Sequence, residues 1–458
     1  MKPLSIQEIV IATGGELVGT DTSRVIRAVS TDTRSLGEGS LFVALRGDNF
    51  DGHKFVAQAV ENGADCLLLD TLPDEINGLG VPVVLVKNTL YGLQRLAKWY
   101  RNQLDIKVIA LTGSNGKTST KDFTASVLRK GFKVNATKGN LNNHIGLPLS
   151  VLSTEEDDEV CVWEMGMNHA GEIAPLCNIA EPDVGIITNI GTAHIEFLGS
   201  REGIAEEKSS LARALPENGT LIVTAGCDFV DYLIERCVSK VIVTGNCRGA
   251  VRAENLKILD NGSAFDLCID GQDPEPVEIS VSGKHMVNNA LLAAAAGVVM
   301  EMSAKDIAVG LNEAILTSGR LRRYECHGIT VIDDTYNANP DSVAAAIETL
   351  TDMPIHNGGR RIVVLGMMAE LGVHADTEHF RVGKLAAEKD LQVVSVGPQA
   401  GKIHQGAREV SETAVQFDTT SQAADWLKQF CQEGDRVLFK GSRMAGMENV
   451  MNEAFPNT

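Results

Sequence analysis

The segment VIALTGSNGKTSTKD, residues 108–122, joins an apolar run to Gly113, Ser114, Asn115, Gly116, Lys117, Thr118 and Ser119. An apolar strand ending at Leu111, a glycine-rich turn, then a lysine and a hydroxyl opening a helix can hold a phosphate. Backbone N–H groups curl around the anion, and the helix N-terminus adds partial positive charge. Lys117 is placed to reach the outer phosphates of a nucleotide, and the Thr118 hydroxyl to ligate Mg²⁺. The spacing departs from the usual phosphate loop, since Gly113 stands three residues before Gly116 and position 111 is Leu. Nucleotide phosphates also call for a hard cation held by oxygen ligands. Glu164 closes the apolar run Val160–Glu164, so its carboxylate is expected at the C-terminal edge of a sheet, beside the phosphate loop. His194 follows the apolar run Val184–Thr188; taken alone it reads as an ordinary loop histidine that could reach the same zone. Lys208, in EGIAEEKSSL, reads from spacing alone as a surface lysine on a helix.

These residues need a scaffold, and 458 residues suffice for roughly three domains. Lys+Arg 41 against Asp+Glu 60 gives a net charge of −19, which argues against nucleic acid and anionic membranes as partners. A few local cations and backbone amides can still hold an anionic ligand. Hydrophobic content of 44% with 22% charged residues is ordinary globular composition. Nine cysteines scattered from Cys66 to Cys431, with no C-x-x-C pair, predict neither a disulfide framework nor a structural zinc site, and point to the reduced cytoplasm. Glu8 and Glu16 interrupt any signal-peptide core. The longest apolar run, Ala290–Met300, is too short to span a bilayer, so no membrane insertion is expected.

Strand-like and helical stretches alternate. Runs at Ser40–Leu45, Cys66–Leu69 and Val81–Val86 accompany a helical stretch at Phe55–Glu61, and LYGLQRLAKWYRNQL leads into Val108–Leu111. Val160–Glu164, Val184–Thr188, Leu221–Val223 and Val241–Val243 continue the rhythm, which predicts a parallel sheet wrapped by helices. The acidic run Glu155–Glu159 reads as a solvated turn. Residues 250–282 alternate polar and apolar and predict antiparallel hairpins, followed by a buried helix at Ala290–Met300. Near Gly319 the rhythm restarts, with strands at Ile329–Asp333, Arg361–Gly366, Val393–Gly397 and Arg436–Lys440. Helices are expected at Ser342–Leu350, Glu378–Glu388 and Ala423–Gln432. The reading is an α/β chain of three domains, 1–87, 88–317 and 318–458.

The phosphate-loop segment, with ATKGNLNNHIGLP (136–148), EMGMNHAGEI (164–173), TNIGTAHIE (188–196), GKHMVNNALLAAAA (283–296) and GRL (319–321), resembles the Mur ligases. These are ATP-dependent amide-forming enzymes of peptidoglycan precursor synthesis. IDDTYNANPDSV (332–343) and MMAELG (367–372) resemble the members that add D-alanyl-D-alanine to UDP-N-acetylmuramoyl-tripeptide, with diaminopimelate or lysine as its third residue. VSTDTR (29–34) and LFVALRGDNFDGHKF (41–55) are similar to the family's UDP-binding domain. The resemblance implies a small α/β UDP-binding domain, a central ATPase domain and a Rossmann-like domain that brings the incoming D-Ala-D-Ala. It implies a cytoplasmic monomer that uses ATP and two Mg²⁺ ions and passes through an acyl phosphate.

Carried over by position, the resemblance makes Lys117 the phosphate-holding lysine, with Thr118, Glu164 and His194 around the metal ions. Lys208 matches a lysine that many members carry as a carbamate, N6-carboxylysine, which could support the second metal. Asn289 matches an adenine-side asparagine, Arg320 an arginine that reaches the γ-phosphate, and Asp334 a ribose contact. Tyr336, Asn337 and Asn339 resemble the dipeptide-accepting segment, although Asn-Ala-Asn-Pro before a helix is also good capping material. Thr31, Asp32, Thr33, Arg34, His53, Asn140 and Asn143 are the expected contacts to the UDP-linked substrate. Lys440, Ser442 and Arg443 end the last strand as further candidates. Two positions depart from the pattern: Met367 stands where members commonly have Asp, and Met286 where they have Asn. A ligase acting at an earlier step, one adding glutamate to folate, and a nucleotide switch that forms no bond are the competing readings. TYNANP speaks against the first two, and the metal set with Arg320 against the third.

Overall fold

The computed structural model describes residues 1–19, 21–47, 49–72, 80–245, 249–355 and 358–457. Among the described residues, apolar runs with helical stretches between them form three large sheets, each dominated by parallel strands as the alternation predicts, beside two small antiparallel pairs, Leu4–Ser5 with Val25–Ile26 and Arg46–Gly47 with Phe50–Asp51. The first sheet has the spatial order Glu16–Val18, Val83–Leu85, Ala64–Leu69, Ser40–Val43, Ala28–Ser30, antiparallel only at its first pair.

The helix Thr89–Arg101 joins this sheet to the next. Asn88 caps it by accepting the Tyr91 N–H at 2.9 Å. Leu93, Leu96, Ala97 and Tyr100 form its buried stripe, spaced as one helix face requires. The Tyr100 hydroxyl meets its hydrogen-bonding needs inside, donating to the Thr154 carbonyl and accepting from the Lys2 amide, both at 2.7 Å.

The central sheet orders nine strands: Val134–Ala136, Val160–Glu164, Lys107–Thr112, Val184–Ile187, Thr220–Thr224, Lys240–Gly245, Val251–Leu259, Gly262–Ile269 and Glu275–Ile279. Only the last two pairings are antiparallel, which are the expected hairpins. From Lys107–Thr112 the chain winds to one side and then crosses to the other. The loops that follow Lys107–Thr112 and Val184–Ile187 therefore border a crevice at the C-terminal edge, the place where open α/β sheets bind ligands. The register pairs Leu111 with Glu164 and Thr112 with Ile187, so residues after all three strands meet at one level.

The helix Lys284–Val299 is apolar around most of its circumference and lies in the core beside Lys117–Leu128. It begins before the expected Ala290, because Gly283 (φ 117°) turns the chain into it and the polar residues at its start conceal the helical pattern. The acidic run differs from expectation at Asp158, which is buried and folds back to accept the Glu155 N–H at 2.7 Å. Burial pushes its carboxyl pKa up.

The third sheet runs Arg322–Cys326, Ile329–Asp334, Arg436–Lys440, Arg361–Leu365, Gln392–Val396, Val415–Phe417, antiparallel only at its first pair. Among the described residues the cysteines are free, and no helix is long and apolar enough to cross a membrane.

Candidate active site

Gly113 and Gly116 shape the phosphate loop for different reasons. At Gly113 (φ 154°) a Cβ would lie 1.8 Å from the Thr188 hydroxyl. Gly116 (φ 79°) turns the chain into the helix Lys117–Leu128, and a Cβ there would meet the Asn289 side-chain oxygen at 2.5 Å. The segment after Val184–Ile187 grips the loop. Thr188 Oγ1 and Asn189 Nδ2 donate to the Asn115 carbonyl at 2.6 and 3.1 Å, and Asn189 Oδ1 accepts the Asn115 N–H at 2.9 Å. Ser114 donates its N–H to the Asn189 carbonyl and accepts the Gly191 N–H on its hydroxyl. Lys117 reaches back, its Nζ donating to the Gly113 carbonyl at 2.7 Å. Desolvation pulls the Lys117 pKa below its ordinary value; Glu164 opposes the shift and Arg320 adds to it. Ser119 is buried in the first helical turn.

Thr118 is a meeting point. Its hydroxyl donates to Glu164 Oε2 at 2.9 Å and accepts from Arg320 Nη2 at 3.0 Å. The other Glu164 oxygen accepts from Asn142 Nδ2 at 2.8 Å. Arg320 stacks over the Tyr336 ring at 4.4 Å, and its Nε is buried without a hydrogen-bond partner among the described residues. A hydroxyl and a carboxylate side by side are the oxygen donors a hard cation prefers. A guanidinium with an unmet donor beside a glycine loop suits an oxyanion. The residues therefore fit both Mg²⁺ and a phosphate chain. Among the described residues no cluster of three or more His, Cys, Asp or Glu side chains forms a metal cage. Phosphate oxygens and water would have to complete the cation's shell.

Lys208 lies on the helix Arg201–Ala214 but is buried, only 1% exposed, so it is not the surface lysine its spacing suggests. Burial, reinforced by nearby Lys117, holds its pKa well below the ordinary value, with Glu207 opposing. Glu207 itself accepts the Gly171 and Ile173 N–H groups at 2.7 Å. His194 (φ 63°) is not drawn to Glu164; its Nδ1 lies 2.5 Å from Glu370 Oε2, from the third sheet's side.

Asn339 does two things. It caps the helix Pro340–Asp352 and also donates through Nδ2 to Asn115 Oδ1 at 2.7 Å, which brings the TYNANP segment onto the phosphate loop. Tyr336 and Asn337 are exposed beside it. Asp334 receives Lys440 Nζ at 2.6 Å, and the same ammonium donates to the Asn337 carbonyl at 3.0 Å. Asn289 packs on Gly116 and directs Nδ2 towards Met286 Sδ at 3.7 Å. Met286 thus supplies a soft acceptor at one departure. At the other, the Met367 carbonyl receives the Ser442 N–H at 2.9 Å. Arg443 is exposed and pairs with Glu448.

The remaining candidates lie in the first domain, apart from Asn140 and Asn143, which share the loop of Asn142. Asp32 accepts the Arg34 N–H and pairs with the Arg34 guanidinium at 2.7 Å, which lowers its pKa to about 2; Thr31 and Thr33 flank this turn. His53 sits between Asp51 and Asp70, at 2.9 and 3.2 Å. Asn140 is exposed, and Asn143 accepts the Ile145 and Gly146 N–H groups at the start of a helix. Sequence reasoning passed over Asn142, Thr188, Asn189 and Glu370. All four lie inside quoted motifs, so residue type and position were visible while their inward aim was not.

The chain belongs to the Mur ligase family. The family's catalytic domain matches residues 25–101, the Mur ligase middle domain 111–297, and the Mur ligase glutamate ligase domain 319–443. A UDP-N-acetylmuramoyl-tripeptide–D-alanyl-D-alanine ligase of Bacillus subtilis (strain 168) is 38% identical, over 94% of this chain and 93% of its own length. The enzyme of that name from Escherichia coli (strain K12) is 35% identical over 98% of both chains. A crystal structure of MurF from Acinetobacter baumannii superimposes with a TM-score of 0.90 at 33% identity, covering 99% of each chain. MurF ligase from Thermotoga maritima, solved in complex with ADP, gives a TM-score of 0.81 at 28% identity, covering 93% of this chain and 97% of that one.

Proposed function

We propose that this chain is an ATP-dependent ligase that joins D-alanyl-D-alanine to UDP-N-acetylmuramoyl-tripeptide in peptidoglycan synthesis, as a monomer in the cytoplasm. The observation that carries the reading is the Thr118 hydroxyl, which gathers Glu164 from the neighbouring strand and Arg320 from the start of the third domain at 2.9 and 3.0 Å.

A carboxylate is a poor electrophile at neutral pH. Its oxygen attacks the γ-phosphorus of ATP, the bond to the ADP oxygen breaks, and an acyl phosphate forms. The dipeptide's neutral amine then attacks the acyl carbon, phosphate leaves with the bonding pair, and the amine proton passes to solvent. Both steps depend on positioning and on neutralising phosphate charge. Lys117 and Arg320 hold the phosphate oxygens, and the free amides of the first helical turn, from Lys117 to Ser119, cradle them. Thr118 and Glu164 would hold Mg²⁺, which supplies further charge neutralisation when bound; Asn142 orients that carboxylate through its other oxygen. In this reading the chain divides at 87/88 and 317/318 into UDP-, nucleotide- and amine-binding parts. In that division Thr31–Arg34, His53, Asn140 and Asn143 serve the UDP-linked substrate, and Tyr336, Asn337 and Asn339 the dipeptide. Asn289 and Asp334 lie on the nucleoside side, and His194 serves a second Mg²⁺ once released from Glu370.

Lys208 serves as a carbamate. Burial that disfavours the Lys208 charge favours the free amine, which adds CO₂ through its electron pair, loses one proton and becomes an anion that can face Lys117 and a cation. The test of the reaction is phosphate release with ATP, Mg²⁺ and UDP-N-acetylmuramoyl-tripeptide, with and without D-Ala-D-Ala, together with product mass. Dipeptide-dependent release and a gain of one dipeptide less water are expected. ATP binding without turnover would overturn the reading.

A further inference from the structure

The helix Pro340–Asp352 enters the third domain with a capping box, in which Asn339 accepts the Ser342 N–H and the Ser342 hydroxyl faces back to the cap. Asp341, in its first turn, sits where the helix N-terminus favours a negative charge. Its carboxylate leaves its own domain. Oδ2 accepts both the N–H and the hydroxyl of Thr192, at 2.6 and 2.7 Å.

The receiving surface is shaped for that carboxylate. Gly191 carries no Cβ, and one built there would lie 2.4 Å from Asp341 Oδ2. Arg201 stands near enough for the Asp341 charge to raise its pKa, along with the stronger pull of Asp228, and donates through Nη2 to the Ile190 carbonyl at 2.9 Å. Gly191 N–H is in turn held by the Ser114 hydroxyl at 2.9 Å. One turn of chain thus connects the Asp341 seat to the phosphate loop, and Asn339 touches that loop independently through Asn115.

We infer that Asp341 is a positioning residue for the amine step. By seating on Gly191 and Thr192, it sets the register of the TYNANP segment against the phosphate loop, and so the approach of the amine to the acyl carbon. The inference rests on the ligase reading above. Forming the acyl phosphate draws on Lys117, Thr118, Glu164 and Arg320, none of which contacts Asp341. Arg320, the one of these from the third domain, keeps its own tie to Thr118 at 3.0 Å, so breaking the seat weighs on the amine step and leaves the first step largely in place.

The experiment uses the full chain with ATP, Mg²⁺ and UDP-N-acetylmuramoyl-tripeptide, offering either hydroxylamine or D-Ala-D-Ala. Hydroxylamine nitrogen attacks an acyl phosphate, expels phosphate and leaves a hydroxamate, without needing the third domain to present a dipeptide. In Asp341→Ala, hydroxamate formation stays within about twofold of the unaltered chain. Ligation measured as kcat/KM for the dipeptide falls about tenfold to hundredfold, the range for losing hydrogen bonds to a charged group. Thr192→Val, which removes the hydroxyl donor of the seat and leaves the helix untouched, reproduces that split at smaller amplitude and covers the case in which Asp341→Ala does not fold. Equal loss in both assays, or loss in neither, overturns the positioning role. An unaltered chain that makes neither hydroxamate nor peptide overturns the ligase reading itself.

Discussion

Lys208→Met separates the two things a buried lysine can do. The Lys208 side chain is 1% exposed and makes no hydrogen bond among the described residues, and burial beside Lys117 disfavours its charge. Met has nearly the same length and keeps the apolar stem's contacts. A volume-conserving swap of this kind costs less than about 1.5 kcal/mol. Breaking a buried ion pair would instead cost about 3–5 kcal/mol. In CO₂-free buffer, chemical denaturation should therefore place the variant within about 1.5 kcal/mol of the unaltered chain. Activity should fall on the order of tenfold to hundredfold, the range for losing a group that supports a metal site. Added bicarbonate should stabilise and activate the unaltered chain by mass action and leave the variant unmoved. Short carboxylates should restore part of the variant's turnover, and isotopically labelled bicarbonate should give a carbamate resonance only where Lys208 is present. A variant with full activity refutes the carbamate. Destabilisation of about 3 kcal/mol or more without CO₂ refutes the premise that the amine is unpaired.

Gly116→Ala combines a left-handed backbone, about 1–2 kcal/mol for a residue with a Cβ, with a 2.5 Å approach to Asn289. Calorimetry should show nucleotide affinity falling at least about tenfold, and Asn289→Ala in the same chain should recover part of it. Thr118→Val deprives both Glu164 and Arg320 of a hydroxyl partner, while Thr118→Ser keeps it. The valine variant should need more Mg²⁺ for half-maximal phosphate release and lose about tenfold to hundredfold in rate, the serine variant much less. His285 has its pKa pushed down to about 4 by burial, with Asp334 opposing and Lys440 adding. Between about 6.5 and about 4 the unfolded chain then binds the proton and the folded chain does not, so stability falls as pH falls through that window. Urea midpoints across that window should fall less steeply in His285→Gln.

Most of the fold was legible because its strands are fully buried and read as continuous apolar runs. Arg436–Lys440 matches expectation at both ends, and Arg361–Leu365 within one residue. What escaped was short or half-polar. Val415–Phe417 has three residues at a sheet edge, and Arg322–Cys326 is an antiparallel edge strand with two arginines and a glutamate. Gly401–Arg408 has a strong apolar face but interrupts it with Gly401 and Gly406, where neighbouring backbone approaches too closely for a Cβ at the second.

The site divides along the same physical line. Thr118 and Glu164 could be paired in advance because Glu164 ends one strand and Thr118 follows the next, the two strands are neighbours, and the register sets Leu111 opposite Glu164. A regular sheet converts position in sequence into position in space. Loops do not. Of the asparagines in GNLNNH, spacing offers no reason to choose Asn142 over Asn140 or Asn143. The choice is made by the Asn142 carbonyl, which accepts the Gly166 N–H at 2.8 Å, and by Gly166, whose missing side chain leaves room for the Asn142 amide beside the strand end. The contact of His194 with Glu370 escaped for the same reason. Glu370 comes from a loop of another sheet, with both residues held at positive φ, and two irregular segments from separate domains carry no shared period. Catalysis that waits for domains to meet must put its last contacts on such segments, because rigid strands of one sheet cannot come together and part. The contacts hardest to read from the chain are therefore those that report whether the third domain is seated, among them His194 with Glu370, Asn115 with Asn339, and Thr192 with Asp341.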